Sequence, residues 1–175
     1  IMSQKIKDII AASIAVKQEF LNNEVLVAEL TKIAESMVNC LKAGNKVLWC
    51  GNGGSAADAQ HLAAELSGRF YTDRAPLYSE ALHVNSSFVT AVANDYSYDV
   101  IYSRMLQGCG RKGDILVGIS TSGNSKNVMN AMEVAREKGI TTVGFTGNTG
   151  GKMKDLCDFL INVPSNDTPR IQESH

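Results

Sequence analysis

Asp114-Ile-Leu-Val-Gly-Ile-Ser-Thr-Ser-Gly-Asn-Ser125 runs from a short apolar segment through a loop crowded with hydroxyls, and Lys126-Asn-Val-Met-Asn-Ala-Met then opens a helix. Strand, loop and helix in that order make half of a βαβ unit. A turn needs one or two polar residues, so the loop Gly118–Ser125 holds a surplus of donors. The free N–H groups of a helix's first turn suit an anion, and Ser120, Thr121, Ser122 and Ser125 add enough hydroxyls to encircle the oxygens of a phosphate. No G-K-[ST] follows, so this is not a Walker A loop, and it is not G-x-G-x-x-G either. A sugar phosphate fits it better than a nucleotide. An over-furnished helix cap is the plainer reading and stays open.

The same alternation continues on both sides. Short apolar runs lie at Lys46–Cys50, Glu80–Val84, Asp114–Ile119, Thr141–Phe145 and Asp158–Val163, with helical patterns between them such as Val128, Met132 and Ala135 ending at Gly139. Runs of this kind predict strands covered on both faces, although His83 and Asn162 interrupt them. The expectation is an α/β, flavodoxin-like three-layer sandwich with a parallel sheet of about five strands, whose ligands bind beyond the carboxyl ends of the strands. Before the sheet, residues 1–44 read as two helices. The second repeats Leu26, Leu30, Ile33, Met37 and Leu41 and stops at Gly44. The first, about Ser3 to Phe20, is apolar on several sides (Ile6, Ile9, Ile10, Ile14, Val16). Two readings of it are open: packing against another subunit, or wrapping over its own domain.

Composition narrows the class. The 175 residues suffice for one domain, 1–175, with 45–175 as its α/β core. A formal charge of −1 gives no argument for a nucleic-acid or membrane-surface partner. Cys40, Cys50, Cys109 and Cys157 form no C-x-x-C and read as reduced thiols of a cytoplasmic protein without a signal peptide or membrane span.

A second rich loop, Cys50-Gly-Asn-Gly-Gly-Ser-Ala-Ala-Asp58, follows the first strand. Gly51, Gly53 and Gly54 allow a sharp turn and a close approach to a ligand, and Ser55 is a plausible N-cap. The helix behind it carries Asp58, His61 and Glu65 on one face. A histidine and a glutamate one turn apart can share a metal, the carboxylate can act as a base, or the pair can simply be a solvated face. Asn94-Asp95 closes an amphipathic stretch and reads as a turn. His83 falls in the presumed second strand, where a structural role is simplest. Near the end, Arg170-Ile-Gln-Glu-Ser-His175 places Gln172 and His175 on one helical face.

Taken together, CGNGGSAADAQHLAAEL, AVANDYS, GISTSGNS, TGNTGGKM and PRIQESH resemble the SIS (sugar isomerase) phosphosugar-binding family, and within it the phosphoheptose isomerases, from about Phe20 to the last residue. GISTSGNS points to the wider family, and the His61/Glu65 helix with R-I-Q-E to this branch. The resemblance implies an aldose–ketose isomerase that interconverts sedoheptulose 7-phosphate and D-glycero-D-manno-heptose 7-phosphate through an enediol. That step enters the ADP-/GDP-heptose route to bacterial surface polysaccharides, lipopolysaccharide and capsule among them. It implies a cytoplasmic homotetramer with active sites between subunits and one zinc per subunit.

Carried over residue by residue, Asn52, Gly53, Gly54, Ser55, Asn94, Asp95 and Gln172 contact the sugar, while Ser120, Thr121, Ser122 and Ser125 hold the phosphate. Glu65 is the base, with its carboxylate facing the strand ends where the sugar carbons lie, and His61 is the other catalytic residue. His61, Glu65 and Gln172 are the zinc ligands. A carboxylate engaged by a metal is a poor base, so either Glu65 exchanges roles or the two functions belong to different states. In the family the terminal helix continues to a further histidine that serves as acid/base group and ligand. The present sequence stops at His175, before that position, and His175 does not inherit the role. Two alternatives of other classes are a non-catalytic SIS protein that binds a replication-initiator-type partner, and a phosphosugar sensor. Glu65 argues against the first, since a protein that only binds has no need of that carboxylate.

Overall fold

A computed structural model describes residues 1–175. Two helices, α1 (Met2–Leu21) and α2 (Glu24–Lys42), precede the alternating region. Asn23 caps α2 by accepting the Leu26 N–H at 3.1 Å. There follow β1 (Val47–Gly51), α3 (Gly54–Ser67), β2 (Ser79–Ala81), α4 (Ser86–Asp95), α5 (Ile101–Cys109), β3 (Ile115–Ile119), α6 (Lys126–Glu137), β4 (Thr141–Thr146), β5 (Phe159–Asn162) and α7 (Thr168–Gln172). All strand pairs are parallel and the sheet order is β2-β1-β3-β4-β5. That is the flavodoxin-like order, and the chain reverses its direction of winding between β1 and β3.

Alternation along the strands explains the layers. Leu48, Cys50 and Leu116 face a core shared with Tyr102 and Leu106 of α5 and with Val128, Ala131, Met132 and Ala135 of α6. Val47, Trp49, Ile115, Val117 and Ile119 face the opposite core with Ile33 and Cys40 of α2 and Ala59 and Ala63 of α3. Every residue of β1 and β3 is buried, as strands covered on both faces must be.

Two expectations about this region need correction. The second strand is Ser79–Ala81 and not Glu80–Val84. The chain turns at Leu82 because Asn85 starts α4, accepting the Phe88 N–H at 3.0 Å. His83 therefore sits in this turn at the sheet's carboxyl edge, half-buried, with Nδ1 unpartnered. Ser55 is not an N-cap, because Gly53 occupies that position with φ of +59°, which favours glycine, and α3 begins at Gly54.

Helix α1 buries none of its residues; Ile6, Ile9, Ile10 and Ile14 are all about half exposed. Only Ser13, Val16 and Phe20 are partly covered, Phe20 against the core beneath α2 and α3. Its ties to the rest of the chain include Arg170 Nη1, which donates to Ile9 O at 2.9 Å, and Lys17 Nζ, 3.7 Å from Glu173 Oε1. No helix is long and apolar enough to cross a membrane.

Candidate active site

The serine loop and the glycine loop leave adjacent strands at the switch point, since Gly51 at the end of β1 pairs with Ile119 at the end of β3. Ser120 is 3% exposed, and its Oγ lies 2.9 Å from Ser125 Oγ and 3.4 Å from Ser122 Oγ. Ser125 stands at the N-cap of α6 but makes no side-chain cap bond. Its hydroxyl turns to Ser120 instead, which counts against the over-furnished cap. The hydroxyls of Ser120, Ser122 and Ser125 gather beside a helix N-terminus, and no hydrogen bond joins the Thr121 hydroxyl to them. The TGNTGGKM segment buttresses this loop: the Met153 N–H donates to Gly123 O at 2.9 Å and the Lys152 N–H to Asn124 Oδ1 at 3.0 Å.

At the glycine loop, Gln172 Nε2 donates to Ser55 Oγ at 3.2 Å. The Gln172 amide lies so close over Gly54 that a Cβ there would fall 2.5 Å from its Oε1. What a larger residue at Gly54 would meet is thus the far end of a side chain and not the backbone. Asn52 bonds reciprocally to Asn127 of α6, at 2.8 and 2.9 Å. Asn127 lies in no motif of the sequence, but it heads the buried row Ala131 and Ala135 at helical spacing, where an apolar residue belongs.

His61 Nε2 and Glu65 Oε1 are 3.0 Å apart on α3, with His61 exposed and Glu65 about one-third exposed. They adjoin a cavity of about 480 Å³ lined also by Met37, Trp49, Phe70 and Arg74. Arg74 fixes the end of the helix by donating to Glu65 O and Leu66 O, each at 2.9 Å. The expected orientation of Glu65 is not met within one chain. Eleven residues separate it from Gly54, about 16 Å of helix at the usual rise, directed away from the strand ends. Asp58, nearer the loop, is half-buried with Oδ2 unpartnered; burial raises its carboxyl above the ordinary range against the pull of His175 and His61. His175 donates to or accepts from no side chain: its Nε2 lies 3.1 Å from Thr146 O, and burial lowers its pKa. Asn94 and Asp95 end α4, exposed, with Asn94 Nδ2 donating to Asp95 Oδ1 at 2.9 Å.

An imidazole and a carboxylate one turn apart have the right chemistry for zinc. No group of three His, Cys, Asp or Glu side chains is gathered in the chain, and Gln172, the third expected ligand, sits over Gly54, about 16 Å of helix from Glu65. The thiols offer no nucleophile: burial raises all four, Cys50 up to about 12.

The SIS domain family matches residues 9–147. A phosphoheptose isomerase of Mycobacterium tuberculosis is 54% identical over 97% of this chain and 86% of its own, and one of Aneurinibacillus thermoaerophilus is 52% identical over 99% and 88%. The solved phosphoheptose isomerase of Neisseria gonorrhoeae superposes with a TM-score of 0.92 at 43% identity, covering all of this chain and 93% of that one. That of Francisella tularensis gives 0.93 at 35%, covering 100% and 92%. This chain belongs to the SIS-domain family and, within it, to the phosphoheptose isomerases.

Proposed function

We propose that the chain is a ketose–aldose isomerase interconverting sedoheptulose 7-phosphate and D-glycero-D-manno-heptose 7-phosphate. The observation that carries the reading is the meeting of the serine loop and the glycine loop at the ends of β1 and β3, in a member of this family. Ser120, Thr121, Ser122 and Ser125 clamp the phosphate, and that remote binding energy fixes the register of the reacting carbons. Asn52, Gly53, Gly54, Ser55, Asn94, Asp95 and Gln172 hold the sugar. Glu65, paired with His61, takes a proton from C1 of the ketose and returns it to C2, while the hydroxyl proton passes from O1 to O2. Zinc, when bound, would polarise the sugar oxygens as a Lewis acid, and His61 and Glu65 of one copy with Gln172 of another are the residues that would hold it.

Glu65 lies about 16 Å of helix from Gly54, on a helix running away from the strand ends, and a second copy of the chain would bring such a carboxylate to the phosphate clamp of its neighbour. This supports the homotetramer with sites between subunits, as do the uncovered isoleucines of α1. The four free cysteines support a cytoplasmic setting.

The test is Glu65→Gln in the full-length protein. Turnover of sedoheptulose 7-phosphate is expected to fall about a hundredfold or more, with phosphosugar affinity retained. Near-normal turnover would refute the catalytic assignment. Loss of bound metal together with activity would move Glu65 from base to ligand.

A further inference from the structure

Asn127 has no part in the mechanism above, and its place in the core is chemically costly. It is 3% exposed at the head of a row continued by Ala131 and Ala135, where an apolar residue would need no partner. Its amide is nevertheless satisfied at both ends. Asn52 Nδ2 donates to Asn127 Oδ1 at 2.8 Å, and Asn127 Nδ2 donates to Asn52 Oδ1 at 2.9 Å. Asn127 Oδ1 also accepts its neighbour Val128 N–H at 2.9 Å.

On the other side of the pair, Asn52 Oδ1 accepts from the Tyr98 hydroxyl at 3.2 Å. The Tyr102 hydroxyl has one proton and gives it to Gly51 O, so its 3.5 Å approach to Asn52 Oδ1 is a contact and not a second bond. Burial pushes the Tyr102 pKa up and keeps it a neutral donor. Asn52 and the preceding Gly51 are thus gripped from α5, from the turn before it and from α6. The Asn52–Asn127 pair is the one hydrogen-bonded link between residues 52–55 and residues 120–128.

We infer that Asn127 is a positioning residue of the isomerase: through Asn52 it locks the sugar loop to the phosphate helix at a fixed separation. The inference rests on the isomerase reading. A phosphate seated at the start of α6 then brings the sugar into register with the glycine loop because the two loops move as one body. Without the pair, the phosphate site remains while the loop that faces the sugar loses its tie to α6. Misplacement of a substrate-contacting group by about 1 Å costs up to a hundredfold in rate.

The experiment compares wild type, Asn127→Ala, Asn127→Ser, Asn52→Ala and the Asn52→Ala/Asn127→Ala double variant in the full-length protein. Serine suits an early helix position but cannot reach Asn52, which keeps the test alive if the alanine variant does not fold. Turnover of sedoheptulose 7-phosphate is measured beside the affinity for inorganic phosphate by calorimetry. In each Asn127 variant kcat is expected to fall roughly ten- to a hundredfold with phosphate affinity unchanged, and the double variant to lose no more than the worse single one. No turnover by the wild type overturns the isomerase reading and this inference with it. With an active wild type, three results overturn the inference alone: kcat at the wild-type level in the Asn127 variants, losses that multiply in the double variant, or phosphate affinity falling in step with kcat.

Discussion

Replacing Gly54 by alanine separates the stability of the fold from the placement of Gln172. The new Cβ would lie 2.5 Å from Gln172 Oε1, 2.6 Å from Nε2 and 2.7 Å from Cδ, all closer than carbon tolerates. The obstructing atoms belong to the far end of a flexible side chain, so Gln172 can swing away and the backbone need not move. What is lost is the 3.2 Å bond from Gln172 Nε2 to Ser55 Oγ, worth about 0.5 to 1.5 kcal/mol net. What is gained is the preference of a helical position for alanine over glycine, up to about 1 kcal/mol and less in a first turn. The two nearly cancel. A residual of about 1 kcal/mol in a chain of this size shifts Tm by roughly 2–4 °C. Activity does not share in the cancellation, since the displaced amide no longer faces the glycine loop. Turnover of sedoheptulose 7-phosphate is expected to fall about tenfold or more in the full-length protein. Wild-type turnover with an unchanged melt would refute the role given to Gln172. A melting point lowered by much more than the residual would show that backbone, not the Gln172 side chain, fills the space above Gly54.

Changing Ser120 and Thr121 together to alanine should weaken phosphosugar binding and slow turnover, because the clamp positions the reacting end; unchanged binding by calorimetry would remove the phosphate assignment. His61→Ala should lower the zinc retained after dialysis, read by elemental analysis, and metal content equal to the wild type would exclude His61 as a ligand. Burial lowers the pKa of His83, so the unfolded chain binds its proton more readily than the folded one. Its contribution is therefore present above the unfolded value of about 6.5 and is lost as pH falls through it towards the lower folded pKa. Urea unfolding from pH 7.5 to 5 should show this decline, and His83→Gln should reduce the slope; an identical slope in both proteins would count against a buried, neutral His83.

The strands were readable because burial on both faces leaves uninterrupted apolar runs, and β1, β3 and β4 start and stop within a residue of those runs. The second strand was over-read, since Leu82 and Val84 extend the apolar run while the cap at Asn85 ends it sooner. Ser55 has the composition of a cap, but a left-handed backbone at Gly53 settled where α3 begins. The serine loop is local in sequence and its hydroxyls do converge. The Asn52–Asn127 pair joins positions 75 apart, and no periodicity announces a partner at that distance. Glu65 could be placed on the face of a helix, whereas its reach towards a substrate depends on which way that helix runs from the loop.

The terminal segment is fastened at three places. Arg170 holds the backbone of α1 at Ile9, Gln172 holds Ser55 at the glycine loop, and His175 holds the end of β4 at Thr146. A rigid staple of this kind makes the outer helix and the inner loop report on each other. In the proposed assembly, a second copy covering the isoleucines of α1 would press on the element that Arg170 holds, two residues from the Gln172 amide. Thermodynamic reciprocity then requires the converse, that a sugar phosphate which prefers one placement of Gln172 also prefers one state of association. If the proposed assembly forms, dilution should loosen substrate binding, and substrate should hold the copies together at concentrations where they otherwise part.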